Sequence, residues 1–364
     1  MRLQQSLSVA VCVNQMESDI PVKAPEGAVV KHIEILREIA PWHDLVALLK
    51  LWRFYRRRGF DAVLTVTPKG GLLGMMSARL AGVPVRLHWF TGQVWATRKG
   101  LMRATLKSMD QIIAACATHV LADSPSQRDF LVRERVVPAA KISVLGQGSI
   151  SGVDTARFRP DAVTRERVRN ELRIPEDAVC LLYVGRMKKE KGVADLLRAF
   201  GCLRAEFPML HLLLVGPDEE GLIVGADAEG LHVVGYTNEV EVYMAAADII
   251  CLPSYREGFG SVLIEGAACG LPAVASRIYG VTDAVVENVT GLLHPPGDVA
   301  ALGACLQRLL ADDRLRSDLG RRAHKRALDA FESSRVEEAL DRFLHHLLQE
   351  NTAGAGETYK NRFP

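Results

Sequence analysis

Glu257 and Glu265 are separated by seven residues that contain a Gly-Phe-Gly turn. Two carboxylates beside bound phosphates would be repelled by them, so their expected work is to accept hydrogen bonds from hydroxyl groups of a sugar or a ribose. The alternative is that Glu265 only complements a helix dipole and Glu257 is a solvated loop residue. The two carboxylates together, in register with the glycines around them, favour the functional interpretation.

The chain around these glutamates predicts a strand, a loop and a helix. Asp248–Leu252 is an apolar run, Tyr255–Gly260 has loop composition, and Ser261 is the predicted N-cap of a helix that ends at 270–272. Glu257 is then expected in the loop and Glu265 in the first helical turn. Backbone N–H groups there would form an anion site, with Gly258, Phe259, Gly260 and Ser261 as its amides.

A second loop with charged side chains follows the apolar run Val179–Val184. Arg186 comes directly after this predicted strand, and Lys191 precedes the next predicted helix. A planar guanidinium and a mobile ammonium together could neutralise a leaving diphosphate. The alternative is a solvated basic turn, which is the interpretation for Lys188 and Lys189.

A third loop at the same predicted sheet edge contains Gly235 and Tyr236. Its backbone groups could hold a flat base. Because Gly-Tyr turns are common, this prediction depends on the two loops before it.

In the amino-terminal half, residues 86–95 end a predicted strand in a polar and aromatic cluster. His88 could donate a hydrogen bond to a sugar hydroxyl or to charge that develops at the reacting centre. Thr91, Gly92 and Gln93 follow it as candidates on the acceptor side, and aromatic faces of the cluster could cover a sugar. The alternative is a structural histidine at the end of a strand.

Apolar runs and helical periodicity alternate along the whole chain. Strands are predicted at 7–13, 62–66, 83–90, 119–122, 142–145, 179–184, 211–215, 232–234, 248–252 and 273–275. Helices are predicted near 44–58, 70–81, 101–116, 125–134, 192–206, 239–247, 261–269, 298–311, 313–329 and 333–349, with a short one that ends at Leu172.

The glycine- and serine-rich stretch 146–154 separates these elements into two series. The fold class is therefore α/β, with two doubly wound Rossmann-like domains facing a crevice that loops from the carboxyl ends of their strands would line. The expected domains are an acceptor-side domain over 1–150 and a donor-binding domain over 151–335. Residues 336–364 form a carboxyl-terminal helix and a loose tail.

Composition excludes several classes of protein. The chain is 48% hydrophobic, and its seven cysteines are scattered without a Cys-x-x-Cys pair, as expected for reduced thiols of a cytoplasmic protein. No stretch approaches the roughly 20 apolar residues that a membrane span needs.

The net charge of +2 hides an asymmetry along the chain. Residues 1–145 hold 20 Lys and Arg against 11 Asp and Glu, and the remainder holds 25 against 32. The basic half contains two basic-aromatic or basic-apolar segments, 51–58 and 98–107. They suit peripheral contact with an anionic membrane, or they are solvated faces in which Trp52 and Phe54 are core. No recognised motif for nucleic acid accompanies the charge.

Taken together, these motifs resemble a known family. Gly185-Arg186 with Lys191, the Glu257/Glu265 pair, and Gly270-Leu271-Pro272 are similar to the retaining GT-B glycosyltransferases of family 4, over about residues 60–330. Three further segments look like the branch that extends lipid-linked saccharides for bacterial surface polysaccharides: 67–72, 88–99 and 123–127.

The resemblance implies a role for each candidate. Arg186 and Lys191 would bind the donor diphosphate, Glu265 the nucleotide ribose, and Glu257 hydroxyls of the transferred sugar. His88 would face the reacting sugar. The implied donor is a nucleotide-diphosphate sugar, with UDP favoured, and no cofactor or metal is expected. An epimerase-like enzyme or a non-catalytic nucleotide-sugar-binding protein on this fold remain alternatives.

One departure from the family pattern lies near the amino terminus. The family usually opens with a strand, a glycine-rich turn and a helix, whereas the apolar run 7–13 leads into residues 14–21, which contain no glycine. The expectation is that the amino-terminal domain lacks this first unit and that the chain starts at the family's second strand.

Overall fold

The computed structural model describes residues 7–13, 28–36, 38–223 and 228–360. The glycine-free segment 14–21, which departs from the family pattern, lies outside this part. The chain divides into two compact units. The first comprises the described residues up to Asp123, then Arg128–Gly146 and those from Val336 onward; the second comprises Ser124–Gln127 and Gln147–Arg335.

The first unit contains two parallel sheets. Its strands are β1 (Ala10–Val13), β2 (Val29–His32), β3 (Ala62–Thr65), β4 (Val85–Phe90), β5 (His119–Ala122) and β6 (Ile142–Val144). β1 pairs with β2, and the other four form a sheet in the order β3-β4-β5-β6. Its helices are α1 (Pro41–Arg58), α2 (Pro68–Ala81) and α3 (Gly100–Cys116). A further helix, α4 (Pro125–Arg133), begins in the second unit and belongs to the first from Arg128 onward.

The second unit contains one six-stranded parallel sheet in the order β12-β11-β10-β7-β8-β9. The strands are β7 (Val179–Val184), β8 (Leu210–Val215), β9 (Leu231–Val234), β10 (Ile249–Leu252), β11 (Ala273–Ser276) and β12 (Gly291–His294). The helices are α5 (Ala162–Leu172), α6 (Val193–Arg204), α7 (Val240–Ala246), α8 (Ser261–Ala268), α9 (Val281–Ala284), α10 (Val299–Ala311) and α11 (Asp313–Phe331). The last helix, α12 (Ser333–Lys360), continues into the first unit.

Burial on both faces explains why the central strands are continuous apolar runs. All four residues of β10 are buried, as expected for a parallel strand covered by helices on each side. Side chains of this size contribute about 1.5–3 kcal/mol each when fully buried. Proline at the first turn starts α1 and α2.

Most predicted elements are confirmed to within a few residues, and β5 and β7 agree at both ends. The sequence prediction was wrong to omit β2 and β12. All four residues of β2 are exposed, so it lacks the apolar alternation by which strands are recognised. The short helix α9 was also missed, since four residues carry almost no periodicity.

Candidate active site

The candidate donor-binding residues follow strands that are neighbours in the sheet of the second unit. β10 pairs with β7 in parallel, so the loops after these two strands leave the same edge of the sheet side by side. Arg186 and Lys191 lie in the loop after β7, and Glu257 lies in the loop after β10. This edge is where ligands of doubly wound sheets bind.

Lys191 and Glu257 form an ion pair at this edge. Lys191 Nζ lies 2.7 Å from Glu257 Oε1, and the hydroxyl of Ser254 donates to the same oxygen at 2.7 Å. The two side chains are 19% and 14% exposed. The structure thus brings together a cation and a carboxylate that are 66 positions apart, and leaves Glu257 Oε2 without a hydrogen-bond donor among the described residues.

A close backbone approach holds the two loops together. Gly192 adopts a φ of +70°, and a β-carbon there would lie 2.1 Å from the carbonyl oxygen of Pro253. The amide of Tyr255 donates to the carbonyl of Glu190 at 2.9 Å, and the Glu190 carboxylate lies 3.1 Å from Arg256. The position of Lys191 relative to Glu257 is therefore fixed by the backbone.

Arg186 has a half-exposed side chain at the same edge. Its guanidinium is 50% exposed and lies 3.7 Å from the carboxylate of Glu219, which Lys188 approaches to 2.5 Å. Lys189 is exposed, in agreement with its interpretation as a solvated residue. The long, loose contact of Arg186 leaves its donors accessible to a phosphate group.

The N-cap of helix α8 lies one residue earlier than predicted. Its N-cap is Gly260, with a φ of +83°, and Ser261 is the first helical residue, so the N-cap assignment of Ser261 was wrong. A left-handed backbone at the cap favours glycine, which explains the choice of residue. Phe259 is 1% exposed and packs against Phe331 at 5.3 Å between ring centroids. Its aromatic ring belongs to the core, so only its backbone faces a ligand.

Glu265 lies in the second turn of α8, not in the first as predicted, because the helix starts at Ser261. Burial raises the pKa of its carboxyl group, an effect that Arg157 partly offsets and Glu241 reinforces. Arg157 is bound to Glu241 at 2.6 Å. No hydrogen bond to the Glu265 carboxylate is present within the described part of the chain, so ligand hydroxyls would supply the missing donors.

The third loop presents an exposed aromatic ring after β9. Tyr236 is 63% exposed, and its hydroxyl donates to Asn238 Oδ1 at 2.8 Å. Gly235 has nothing within 4 Å of the position that a β-carbon would occupy. A flat base could therefore approach this loop without meeting a side chain of Gly235.

In the first unit, His88 is fully buried in β4. Its Nδ1 lies 2.7 Å from Thr65 Oγ1 on the adjacent strand, and its ring meets Phe90 edge to face at 4.4 Å between centroids. The buried Nε2 has no hydrogen-bond partner among the described residues. Burial lowers the pKa of His88 to about 3, so the imidazole is neutral at physiological pH.

The remaining acceptor-side candidates lie just beyond β4. Thr91 and Gly92 are partly buried and Gln93 is fully buried. The aromatic rings of this cluster are not free to cover a sugar, contrary to expectation. Trp95 is 1% exposed, stacks on Phe130, and donates from Nε1 to Asp110 at 2.7 Å.

Several contributors to the site were absent from the sequence prediction. Ser254, Thr65 and Gly71 each touch a candidate residue, but an isolated Ser, Thr or Gly gives no signal in a single sequence. Thr65 could have been found from strand register, because β3 and β4 pair Thr65 with His88.

The site and the fold define a GT-B glycosyltransferase. Two family models cover most of the chain: glycosyl transferases group 1 over residues 164–326 and the glycosyl transferase 4-like domain over residues 4–148. A D-inositol 3-phosphate glycosyltransferase of Saccharomonospora viridis is 34% identical, over 93% of this chain and 84% of its own length. The chain belongs to the group 1 glycosyltransferases.

Two further relatives are named as a capsular polysaccharide glycosyltransferase and a lipid-diphosphate galactosyltransferase. The capsular polysaccharide biosynthesis glycosyltransferase CapM of Staphylococcus aureus is 28% identical over 91% of this chain and 88% of its own. The Escherichia coli UDP-Gal:alpha-D-GlcNAc-diphosphoundecaprenol alpha-1,3-galactosyltransferase is 24% identical over 85% and 82%. The protein is thus a glycosyltransferase.

Solved structures show the same fold. Sucrose-phosphate synthase of Thermosynechococcus elongatus matches with a TM-score of 0.80 at 24% identity, over 95% of this chain and 90% of that one. Anabaena HepE in complex with UDP-glucose matches with a TM-score of 0.73 at 18% identity, over 88% and 86%.

Replacing Arg186 by Ala is expected to weaken UDP binding by about 10- to 100-fold, because a hydrogen bond to a charged group contributes about 1.5–3 kcal/mol. Isothermal titration calorimetry with UDP measures the dissociation constant directly. Lys189→Ala, in the same loop but exposed, is the matched control and should leave the constant unchanged. Equal affinities of Arg186→Ala and the unmodified protein would remove Arg186 from the site.

Proposed function

We propose that the protein transfers a sugar, with retention of configuration, from a UDP-sugar to a lipid-linked saccharide in cell-surface polysaccharide biosynthesis. The observation that carries the donor assignment is the Lys191–Glu257 ion pair at the end of β10, with Arg186 in the neighbouring loop. The name of the E. coli relative supports a lipid-linked acceptor, and the UDP-glucose complex of HepE supports the donor class.

In this proposal, different residues of the second unit bind different parts of the donor molecule. Arg186 and Lys191 bind the diphosphate, and the amides at 258–261 approach the sugar and the phosphates. Glu265 accepts from the ribose hydroxyls, and the loop at 235–236 holds the base. Glu257 has Oε1 occupied by Lys191 and Ser254, so Oε2 accepts hydrogen bonds from hydroxyls of the transferred sugar.

The reaction proceeds on one face of the sugar. The bond between the anomeric carbon and the phosphate oxygen breaks, and the acceptor hydroxyl oxygen bonds to the same face of that carbon. The proton of the acceptor passes to the departing phosphate oxygen. Arg186 and Lys191 stabilise the negative charge that develops on the diphosphate, and we propose that no metal ion is required for this.

Incubation with radiolabelled UDP- and GDP-sugars and a bacterial membrane lipid extract tests the function. Label that enters the lipid fraction is the expected result, and EDTA should leave the rate unchanged. Conversion of the donor without lipid labelling would indicate an epimerase-like enzyme. Binding of the donor without either reaction would indicate a non-catalytic nucleotide-sugar-binding protein.

Helix α1 supports a site of action at the inner face of the cytoplasmic membrane. Its buried face comprises Ala47, Leu51 and Tyr55. The opposite, solvent face begins with Trp42, Leu45 and Leu49, which are 73%, 47% and 45% exposed, and continues with the exposed Arg53 and Arg56. An exposed apolar stripe followed by arginines on one helix face suits an anionic bilayer.

The aromatic residues of segment 51–58 are in part packed. Phe54 lies 5.3 Å from Phe60 between ring centroids, and Trp52 is half-buried. No helix in the described ranges is long and apolar enough to cross a membrane. The proposed contact is therefore made by the solvent face of α1, through the side chains of Trp42, Leu45 and Leu49.

The double variant Trp42→Ser/Leu45→Ser is expected to lower partitioning onto phosphatidylglycerol vesicles at least about tenfold, since each side chain contributes about 1.5–3 kcal/mol when fully buried. Vesicle co-sedimentation measures the partitioning. Leu80→Ser, which removes a leucine that is 61% exposed elsewhere in the same unit, is the control. Unchanged partitioning, or equal binding to uncharged vesicles, would contradict the proposed contact.

A further inference from the structure

Two residues that have no assigned catalytic role hold His88 in place. Thr65 contacts Nδ1 at 2.7 Å from the adjacent strand β3. Gly71, in the first turn of α2, lies close to the same side of the ring: a β-carbon there would be 2.4 Å from Cε1 of His88 and 2.8 Å from Nδ1. The imidazole is therefore confined on the side of Nδ1 and Cε1.

The contact with Thr65 also bears on which nitrogen carries the proton. A neutral imidazole has one N–H, and the other nitrogen accepts. Thr65 Oγ1 makes no other hydrogen bond within the described chain, so its hydroxyl proton has Nδ1 as its protein acceptor. When the hydroxyl donates to Nδ1, the ring proton must be on Nε2.

The burial of His88 Nε2 without a hydrogen-bond partner points to a bound ligand. It is buried, and among the described residues it has no partner. A buried polar atom without a partner costs about 1–3 kcal/mol. An oxygen of a bound substrate would remove this cost.

We propose that Thr65 and Gly71 are positioning residues that hold His88 in one orientation and one tautomer, so that Nε2–H donates a hydrogen bond to a substrate oxygen. His88 then acts as a neutral donor and neither gives nor takes a proton during turnover. The role in transfer rests on the proposed function, whereas the tautomer is a property of the protein alone.

The tautomer is tested first, without substrate. The full-length protein is labelled with ¹⁵N-histidine, and the His88 signals are assigned by comparison with His88→Gln. Long-range ¹H–¹⁵N spectra should show the Nε2–H form in the unmodified protein and in Thr65→Ser, and a mixture of tautomers in Thr65→Val. An Nδ1–H form in the unmodified protein would overturn the proposal even if the variants fail to fold.

The second test compares turnover. Thr65→Val removes the hydroxyl at nearly constant shape and should lower kcat about tenfold or more with KM for the donor nearly unchanged, and Thr65→Ser should restore it. Unchanged kcat in Thr65→Val would overturn the positioning role. If the protein transfers no sugar, the proposed function fails, and the tautomer spectra still decide how His88 is held.

Gly71→Ala provides an independent test of the confinement. Alanine suits the helical backbone of α2, but its β-carbon would displace the His88 ring, so kcat should fall about tenfold or more while the fold is kept. Gly303→Ala is the matched control, since it also lies in a helix and nothing is within 4 Å of its β-carbon position. Equal activity of the two variants would contradict the role of Gly71.

Discussion

Glu257→Gln is expected to lower kcat by about 100-fold or more and to change the affinity for UDP by less than about threefold. The removal of one positioned electrostatic partner of a transition state costs about 10²–10³ in turnover. The amide keeps the shape of the side chain but loses the charge that pairs with Lys191 at 2.7 Å. Its single oxygen cannot serve Lys191, Ser254 and sugar hydroxyls together.

Steady-state kinetics with the UDP-sugar, beside calorimetry with UDP alone, separate the two effects. UDP contains no transferred sugar, so its affinity reports only the nucleotide contacts. Glu166→Gln, an exposed glutamate on α5, is the matched control and should behave like the unmodified protein. A loss of UDP affinity as large as the loss of kcat would show that Glu257 organises the nucleotide site instead of the sugar.

Gly192→Ala is expected to destabilise the second unit by about 3–5 kcal/mol and to abolish measurable UDP binding. The left-handed backbone at φ +70° costs a residue with a β-carbon about 1–2 kcal/mol. The overlap with the Pro253 carbonyl, 2.1 Å from the new β-carbon, must be relieved by moving one loop away from the other. Effects of this size are exceptional for a single methyl group.

Denaturant unfolding followed by circular dichroism measures the free energy of unfolding. Gly201→Ala lies at an exposed position of α6 with nothing within 4 Å of its β-carbon, and it should stabilise the protein by about 0.4–1 kcal/mol. Opposite signs of the two Gly→Ala changes are expected. A Gly192→Ala protein of normal stability would mean that the loops after β7 and β10 are not held by this contact.

The elements of the fold could be predicted because they repeat a simple physical pattern. Strands such as β7 and β10 are buried on both faces and are visible as apolar runs, and helices such as α1 follow with clear periodicity. β2 and β12 could not be found in this way. β2 is exposed at every residue, and β12 is a Gly-Leu-Leu-His segment without the β-branched or aromatic residues that are typical of strands.

Residue types and their local spacing were enough to predict candidate site residues, but not the contacts between them. Glu257, Arg186 and Lys191 were proposed because charged residues next to glycines at strand ends are unusual, and Glu265 was proposed from its spacing to Glu257. Their pairing was not predictable, because the contact between Lys191 and Glu257 depends on the order of strands in the sheet. The starting point of α8 was missed because a glycine in a left-handed conformation took the place of the expected serine cap.

The membership of α12 in the first unit has a consequence for synthesis on the ribosome. Residues from Val336 onward cluster with the first unit, where Phe343 meets His119 edge to face at 6.5 Å between ring centroids. That unit begins first but needs a segment that is translated only after the whole second unit. All residues of the second unit are therefore translated before the residues of α12 that cluster with the first unit.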